Sequence, residues 1–347
     1  MDIKQVPTMN RLELRDLKTY FFLDEGIVKA VDGVSLSIGD RETIGIIGES
    51  GSGKSVMSQS IMRLVVRPGE IVKGTALLQL KDGREVDIFS LEPDSRELRS
   101  IRGNEIAMVF QEPMTAFSPV HTIGFQIGEM VALHTDIERK KIREHVVGLL
   151  NRVGISNPNQ RFDEYPHQLS GGMRQRAMIA MALSCSPKIV LADEPTTALD
   201  VTIQAQVLEL MNELQREMGM SVVYITHNMA VIAETVQRVY VMYLGQVVES
   251  TTTQELFSNP MHPYTQKLLR SIPKPGHKVE TLEVISGTVP TPIDMPKQCG
   301  FASRCPSAMA GLCDKAVPAL IEKEAGHFVR CFLYSPETEP DDEWTNI

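Results

Sequence analysis

Apolar and polar positions alternate in short runs over the first fifty residues. Leu12-Glu-Leu-Arg and Val34-Ser-Leu-Ser-Ile read as strands with one buried face, and Thr43-Ile-Gly-Ile-Ile as a strand that runs straight into Gly48. Val56 to Leu64 then has helical character, and the charged, polar stretch Asp82 to Arg102 predicts a surface excursion, with a solvated loop over Asp82 to Glu92. From about Pro113 to Gln168 strand signals fade. Ile127 to Leu133 and Lys140 to Val153 carry apolar residues at helical spacing, which predicts a helical subdomain inserted over about 112–168. Strands return at Ile189 to Ala192 and Val222 to Thr226, on either side of a helix over Ile203 to Glu217. Strands alternating with helices predict an α/β fold with a mainly parallel, covered sheet.

Beyond about Phe257 the pattern changes to frequent prolines, among them Pro260, Pro263, Pro273, Pro275, Pro290, Pro292 and Pro296. The expectation is one large domain over 1–256, a linker and loop-rich module over 257–334, and a disordered acidic tail over 335–347. At 347 residues, with 42% hydrophobic and 23% charged, the chain has room for one large and one smaller domain. The apolar stretch Ala177 to Cys185 is far shorter than the roughly 20 residues needed to cross a bilayer, and the N-terminus lacks a basic-then-apolar signal pattern. A cytoplasmic chain is expected. A formal charge of -9 argues against broad affinity for nucleic acid, which rests on basic surface.

Of the five cysteines, Cys185 lies in an apolar helical run and reads as a core residue, whereas Cys299, Cys305, Cys313 and Cys331 fall together in the terminal module. In a reducing cytosol such a cluster points to metal rather than disulfides. Zinc sites favour closely spaced cysteine pairs, which are absent here, and four thiolates can equally hold an iron–sulfur cluster. Spacing alone leaves zinc, iron–sulfur and plain buried thiols open.

The chemistry of the main domain is more explicit. Gly48-Glu49-Ser50-Gly51-Ser52-Gly53-Lys54-Ser55 fits the phosphate-loop pattern and lies between a strand and a helix, as the mechanism needs. Glycines let backbone N–H groups turn inward around phosphate oxygens; Lys54 is expected on the β- and γ-phosphates and the Ser55 hydroxyl on Mg²⁺. At the end of the strand Ile189 to Ala192 stand Asp193 and Glu194, two acids suited to two jobs: holding Mg²⁺ through its shell, and polarising the water that attacks the γ-phosphate.

Between these motifs lies Leu169-Ser170-Gly171-Gly172-Met173-Arg174-Gln175-Arg176, which resembles the signature of ABC-transporter ATPases. Gln111 after Ile106 to Phe110, Ala198-Leu199-Asp200, and His227 after Val222 to Thr226 complete the family order. The resemblance implies a P-loop ATPase of the ABC type with two subunits face to face. Ser170, Gly171, Gly172 and Gln175 of one subunit would then act on ATP held by the other, Asp200 would bridge the pair, Gln111 would link Mg²⁺ and attacking water to the helical subdomain, and His227 would touch the γ-phosphate. Tyr20 or Phe21 would stack on adenine. The terminal segment, with Asn259-Pro-Met-His262-Pro263-Tyr264-Thr265 and Gly287-Thr-Val-Pro290, is similar to ATPases of the oligopeptide and dipeptide permease subfamily. That subfamily implies import of peptides, with oligosaccharides or nickel chelates as alternatives. It also implies a sibling ATPase, two permease subunits, an external binding protein, a site on the cytoplasmic membrane face, and a [4Fe-4S] cluster on the four cysteines. A soluble ABC ATPase acting on DNA or the ribosome is the rival from another class; its expected coiled-coil insertion, second cassette or basic face is absent from the sequence. Phe117 and Ser118 depart from the leucine and asparagine common in the subfamily.

Overall fold

A computed structural model describes residues 10–196, 200–271, 285 and 287–340. Its strands are β1 (Asn10–Leu23), β2 (Gly26–Gly39), β3 (Thr43–Ile47), β4 (Gly69–Gln79), β5 (Glu85–Asp87), β6 (Ile106–Val109), β7 (Ile189–Asp193), β8 (Ser221–Thr226), β9 (Arg238–Tyr243), β10 (Gln246–Thr252), β11 (Ile321–Glu324) and β12 (His327–Val329). The chain divides into two compact units. The helical unit comprises Met1–Leu12, Ile38–Glu42 and Leu78–Tyr224; the phosphate-loop unit comprises Glu13–Ser37, Thr43–Leu77 and Ile225–Ile347.

In the phosphate-loop unit, β9 runs parallel to β3, from Ile44↔Arg238 to Ile47↔Val241, and antiparallel to β10. Every residue of β3 is buried, as its unbroken apolar run requires of a strand covered on both faces. β1 and β2 are 14 residues each, far longer than the short strands that alternation predicts. The polar residues that interrupt the pattern are absorbed by pairing: the Lys18 ammonium lies 3.5 Å from Asp32, and the Asp16 N–H donates to Ser35 Oγ. β4, which carries no clear alternation, sits beside β1.

The terminal segment does not stand apart as the proline count suggests. β12 pairs antiparallel with β10, Glu249 opposite Val329, and β11 continues beyond it. The join is polar and buried. The Glu249 carboxylate, fully buried, accepts from Met261 N, His262 N and His327 Nε2, each at 2.8 Å. The first residues of the expected tail, from Ser335 to Glu339, are held by pairing. Ala319 N donates to Glu337 O, Glu339 N to Val317 O, and the Glu339 carboxylate pairs with Arg330. Residues 341–347, and Pro273 and Pro275 of the expected linker, lie outside the described residues.

In the helical unit, β6 and β7 are parallel, Ile106↔Ile189 through Val109↔Ala192. Helices over Pro113–Ala116, Ile123–His134, Arg139–Arg152 and Pro158–Phe162 occupy the stretch expected to be helical, with Ile127, Val131, Val146 and Leu150 fully buried at helical spacing. Thr122 caps the second of these, its Oγ1 accepting from Phe125 N. The stretch 82–92 is a braced turn rather than a loose loop: Arg84 pairs with Asp82 and Glu97, and Asp87 caps a short 3₁₀ turn. Phe117 is a core side chain, and Ser118 N donates to Gln126 Oε1. Among the described residues, no helix is long and apolar enough to cross a membrane.

Candidate nucleotide site

β3 delivers the chain to Gly48, where a Cβ would lie 2.2 Å from Met242 O, so no other residue fits. Gly53, with φ 97°, caps the helix Lys54–Ile61 in the left-handed region, and a Cβ there would meet Ala30 O at 2.1 Å. Turns of this kind are what let a loop direct N–H groups inward around an anion. The Lys54 side chain is buried, and its ammonium donates to Gly48 O at 2.8 Å, Glu49 O at 2.9 Å and Ser52 Oγ at 3.3 Å. The loop thus curls around its own cation.

Glu49 is held at both ends of its residue. Its N–H donates to Tyr264 Oη at 2.8 Å, and its carboxylate receives a bidentate pair from Arg304 at 2.7 and 3.0 Å. Neither partner was singled out in the sequence as a loop contact. Tyr264 follows a proline in a helix and Arg304 precedes a cysteine, and neither position carries a local signal of contact with residue 49.

Of the two aromatic residues expected near adenine, Tyr20 is 0% exposed, its hydroxyl donating to Asp32 Oδ1 at 2.6 Å, so its ring cannot receive a base. Phe21 is partly exposed beside Gly69. His227 is exposed at the end of β8, just before Asn228, which caps the next helix.

In the helical unit, β6 and β7 end side by side, and this brings Gln111 and Glu194 together: Gln111 Nε2 donates to Glu194 Oε2 at 3.0 Å. Asp193 closes β7 and is buried. Glu194 has φ 45°, a left-handed conformation that a non-glycine residue adopts at a cost of order 1–3 kcal/mol. Such outliers cluster where geometry is held for chemistry.

Ser170 caps the helix Gly171–Leu183, its Oγ accepting from Met173 N at 3.3 Å, and Ser170 and Gly171 are exposed at that helix start. Gln175 departs from its expected role. It is 2% exposed, buried on the core side of the helix. Asp200 Oδ1 caps the helix Val201–Met218, accepting from Thr202 N and Ile203 N. Ala198 and Leu199 lie outside the described residues.

The four terminal cysteines are free thiols. Burial, and then the neighbouring thiols, push Cys299 and Cys331 up to about 11; Cys299, Cys305 and Cys313 all act on Cys331. Among the described residues, no three or more His, Cys, Asp or Glu side chains are gathered as a metal site. Soft sulfur donors of this number suit a soft metal or cluster.

A strand-to-helix glycine loop wrapped on a buried lysine, with an acid pair closing a buried strand, defines a P-loop ATPase of mixed α/β fold. The chain belongs to the ABC transporter family, which residues 31–197 match, with residues 248–313 matching the oligopeptide/dipeptide transporter C-terminal region. It is 50% identical to the oligopeptide transport ATP-binding protein AppD of Bacillus subtilis, over 94% of this chain and 97% of that one. It is 44% identical to the dipeptide transport ATP-binding protein DppD of the same organism, over 94% and 96%. Among solved structures it resembles the dimeric, post-hydrolysis state of the ATP-binding cassette MJ0796 bound to ADP and Pi. That match has a TM-score of 0.61 at 28% identity and covers 70% of this chain and 98% of that one.

Proposed function

We propose that this ABC ATPase powers the import of di- or oligopeptides. The observation that carries the substrate class is near-full-length similarity to relatives named for oligopeptide and dipeptide transport, including the C-terminal region specific to them. In this reading the chain is peripheral on the cytoplasmic membrane face. It works with a second ATPase subunit, two permeases and an external binding protein.

The residue roles follow the chemistry of each group. Loop N–H groups from Gly51 to Ser55 and the Lys54 ammonium bind the phosphates, and Phe21 takes the adenine face. The Ser55 hydroxyl, the Asp193 carboxylate and the Gln111 amide are the hard oxygen donors that suit Mg²⁺, which supplies charge neutralisation on the phosphates when bound. Glu194 takes the proton of the attacking water. Its bond to Gln111 and its strained backbone hold the carboxylate in one orientation for that purpose. His227 contacts the γ-phosphate, Ser170 and Gly172 serve the partner subunit's nucleotide, and Asp200 lies at the subunit interface.

The test is Glu194→Gln beside Lys54→Ala. With Mg-ATP, Glu194→Gln should accumulate a dimer on size exclusion and turn over at under about 1% of wild type, and Lys54→Ala should remain monomeric. Wild-type turnover by Glu194→Gln would remove Glu194 from the role of base. The finer reading of the cysteines is a [4Fe-4S] cluster, supported by four soft donors on one segment, where Cys299 N donates to Cys313 O at 2.9 Å. Iron and zinc analysis after anaerobic purification decides it, with zinc at one equivalent and no iron overturning it.

A further inference from the structure

We infer that Arg304 is a positioning residue for the phosphate loop: by neutralising and anchoring Glu49, it makes ATP affinity depend on the cysteine-bearing segment that carries Arg304. This rests on the reading of Gly48 to Ser55 as the ATP loop.

Glu49 is an acid in a loop that must bind a polyphosphate. A free carboxylate there would repel the ligand and compete with it for loop donors. The structure removes that conflict with one side chain. Both Arg304 nitrogens fork onto the carboxylate, and the same guanidinium donates to Tyr243 Oη at 3.2 Å and Gly287 O at 3.1 Å. With 5% of its side chain exposed, Arg304 is fixed from several sides, the condition under which a bidentate pair transmits position. The Glu49 backbone is tied to the same neighbourhood, because its N–H donates to Tyr264 Oη while its carbonyl accepts from Lys54.

Both anchors lie outside the stretch 31–197 that matches the general ABC family, and inside the stretch 248–313 that matches the oligopeptide/dipeptide region. Between them runs a stack of rings. Phe301 sits 5.2 Å from Tyr243 and 5.4 Å from Tyr264, edge to face, and Tyr243 lies 4.7 Å from Tyr264. Cys299 and Cys305 flank this ring and Arg304 in sequence, and Arg304 N donates to Phe301 O. A shift of the backbone between those cysteines therefore moves Arg304, and through it the carboxylate beside the phosphates.

The test uses the purified full chain, with Mg-ATP titrated by calorimetry and steady-state hydrolysis measured in parallel. Arg304→Ala should weaken ATP binding and raise KM about tenfold while kcat stays within about twofold, the signature of lost ground-state binding. Adding Glu49→Gln to Arg304→Ala should recover most of that loss, because the uncompensated charge is gone, and Arg304→Lys should fall between. Wild-type affinity in Arg304→Ala would overturn the inference. So would a double variant as weak as the single one, since that pattern belongs to lost packing. Lys54→Ala in the same titration separates the two readings: wild-type ATP binding by Lys54→Ala would remove the ATP assignment itself.

Discussion

Glu249→Gln is the most informative single change to the stability of the phosphate-loop unit. The substitution keeps shape and volume and alters only what the side chain can accept. In the native carboxylate, Oε1 accepts from Met261 N and His327 Nε2, and Oε2 accepts from His262 N, all at 2.8 Å in a fully buried site. A carboxamide must turn its NH₂ toward one of those ends. Both ends present backbone N–H groups, so either orientation sets donor against donor. The loss is at least one charge-assisted hydrogen bond, worth about 1.5–3 kcal/mol, plus a buried donor left unsatisfied at about 1–3 kcal/mol. A net cost of about 3 kcal/mol lowers Tm by about 4 °C, at about 2.1 cal/mol/K of unfolding entropy per residue over 347 residues. Differential scanning fluorimetry and urea titration of the purified chain measure it. A loss below about 1 kcal/mol would refute the account, because the three-donor site would then contribute no more than a surface contact.

Two further outcomes follow from buried or strained groups. Burial lowers the pKa of His262 from 6.5 to about 3, so the folded chain stays neutral there while the unfolded chain takes a proton below pH 6.5. Stability from this group is full above pH 6.5 and falls by about 1.4 kcal/mol per pH unit toward pH 3. His262→Asn keeps an acceptor for Tyr264 N, which His262 Nδ1 now bonds at 3.0 Å, and should flatten the stability profile between pH 6 and 4 measured by urea unfolding. Glu194→Asn, at φ 45°, should raise Tm slightly, by about 0.5–1 kcal/mol of relieved strain, while hydrolysis is lost; a fall in Tm would show that the backbone there is not strained.

Much of the site was legible because its residues act through local backbone geometry. Gly48, Gly53 and Lys54 declare a strand-turn-helix by spacing alone, and Ser170 and Asp200 sit before helical patterns as caps do. The core helices were legible for the same reason, since Ile127, Val131, Val146 and Leu150 repeat at helical spacing. What escaped is long-range. Arg304 and Glu49 are 255 positions apart, and Glu249 and His327 are 78 apart, so no periodicity links them. Tyr20 and Phe21 could not be told apart by sequence because both suit stacking, whereas the hydrogen bond of Tyr20 to Asp32 fixes which ring turns inward. The length of β1 and β2 escaped because ion pairs, invisible in a hydropathy pattern, let polar residues continue a strand.

The pairing of β12 with β10 bears on how the protein is made. β10 ends at Thr252, yet the strand that covers its edge begins at His327, so during synthesis that edge waits for some seventy-five further residues before it is covered. At roughly 5–20 residues per second, and allowing for the stretch still inside the ribosome, the interval is on the order of 5–20 seconds. Over that time the nascent chain displays an open edge, an invitation to other nascent chains on the same messenger. A truncation before residue 327 would make the exposure permanent, and such a fragment should be recovered from inclusion bodies even though every phosphate-loop residue is present.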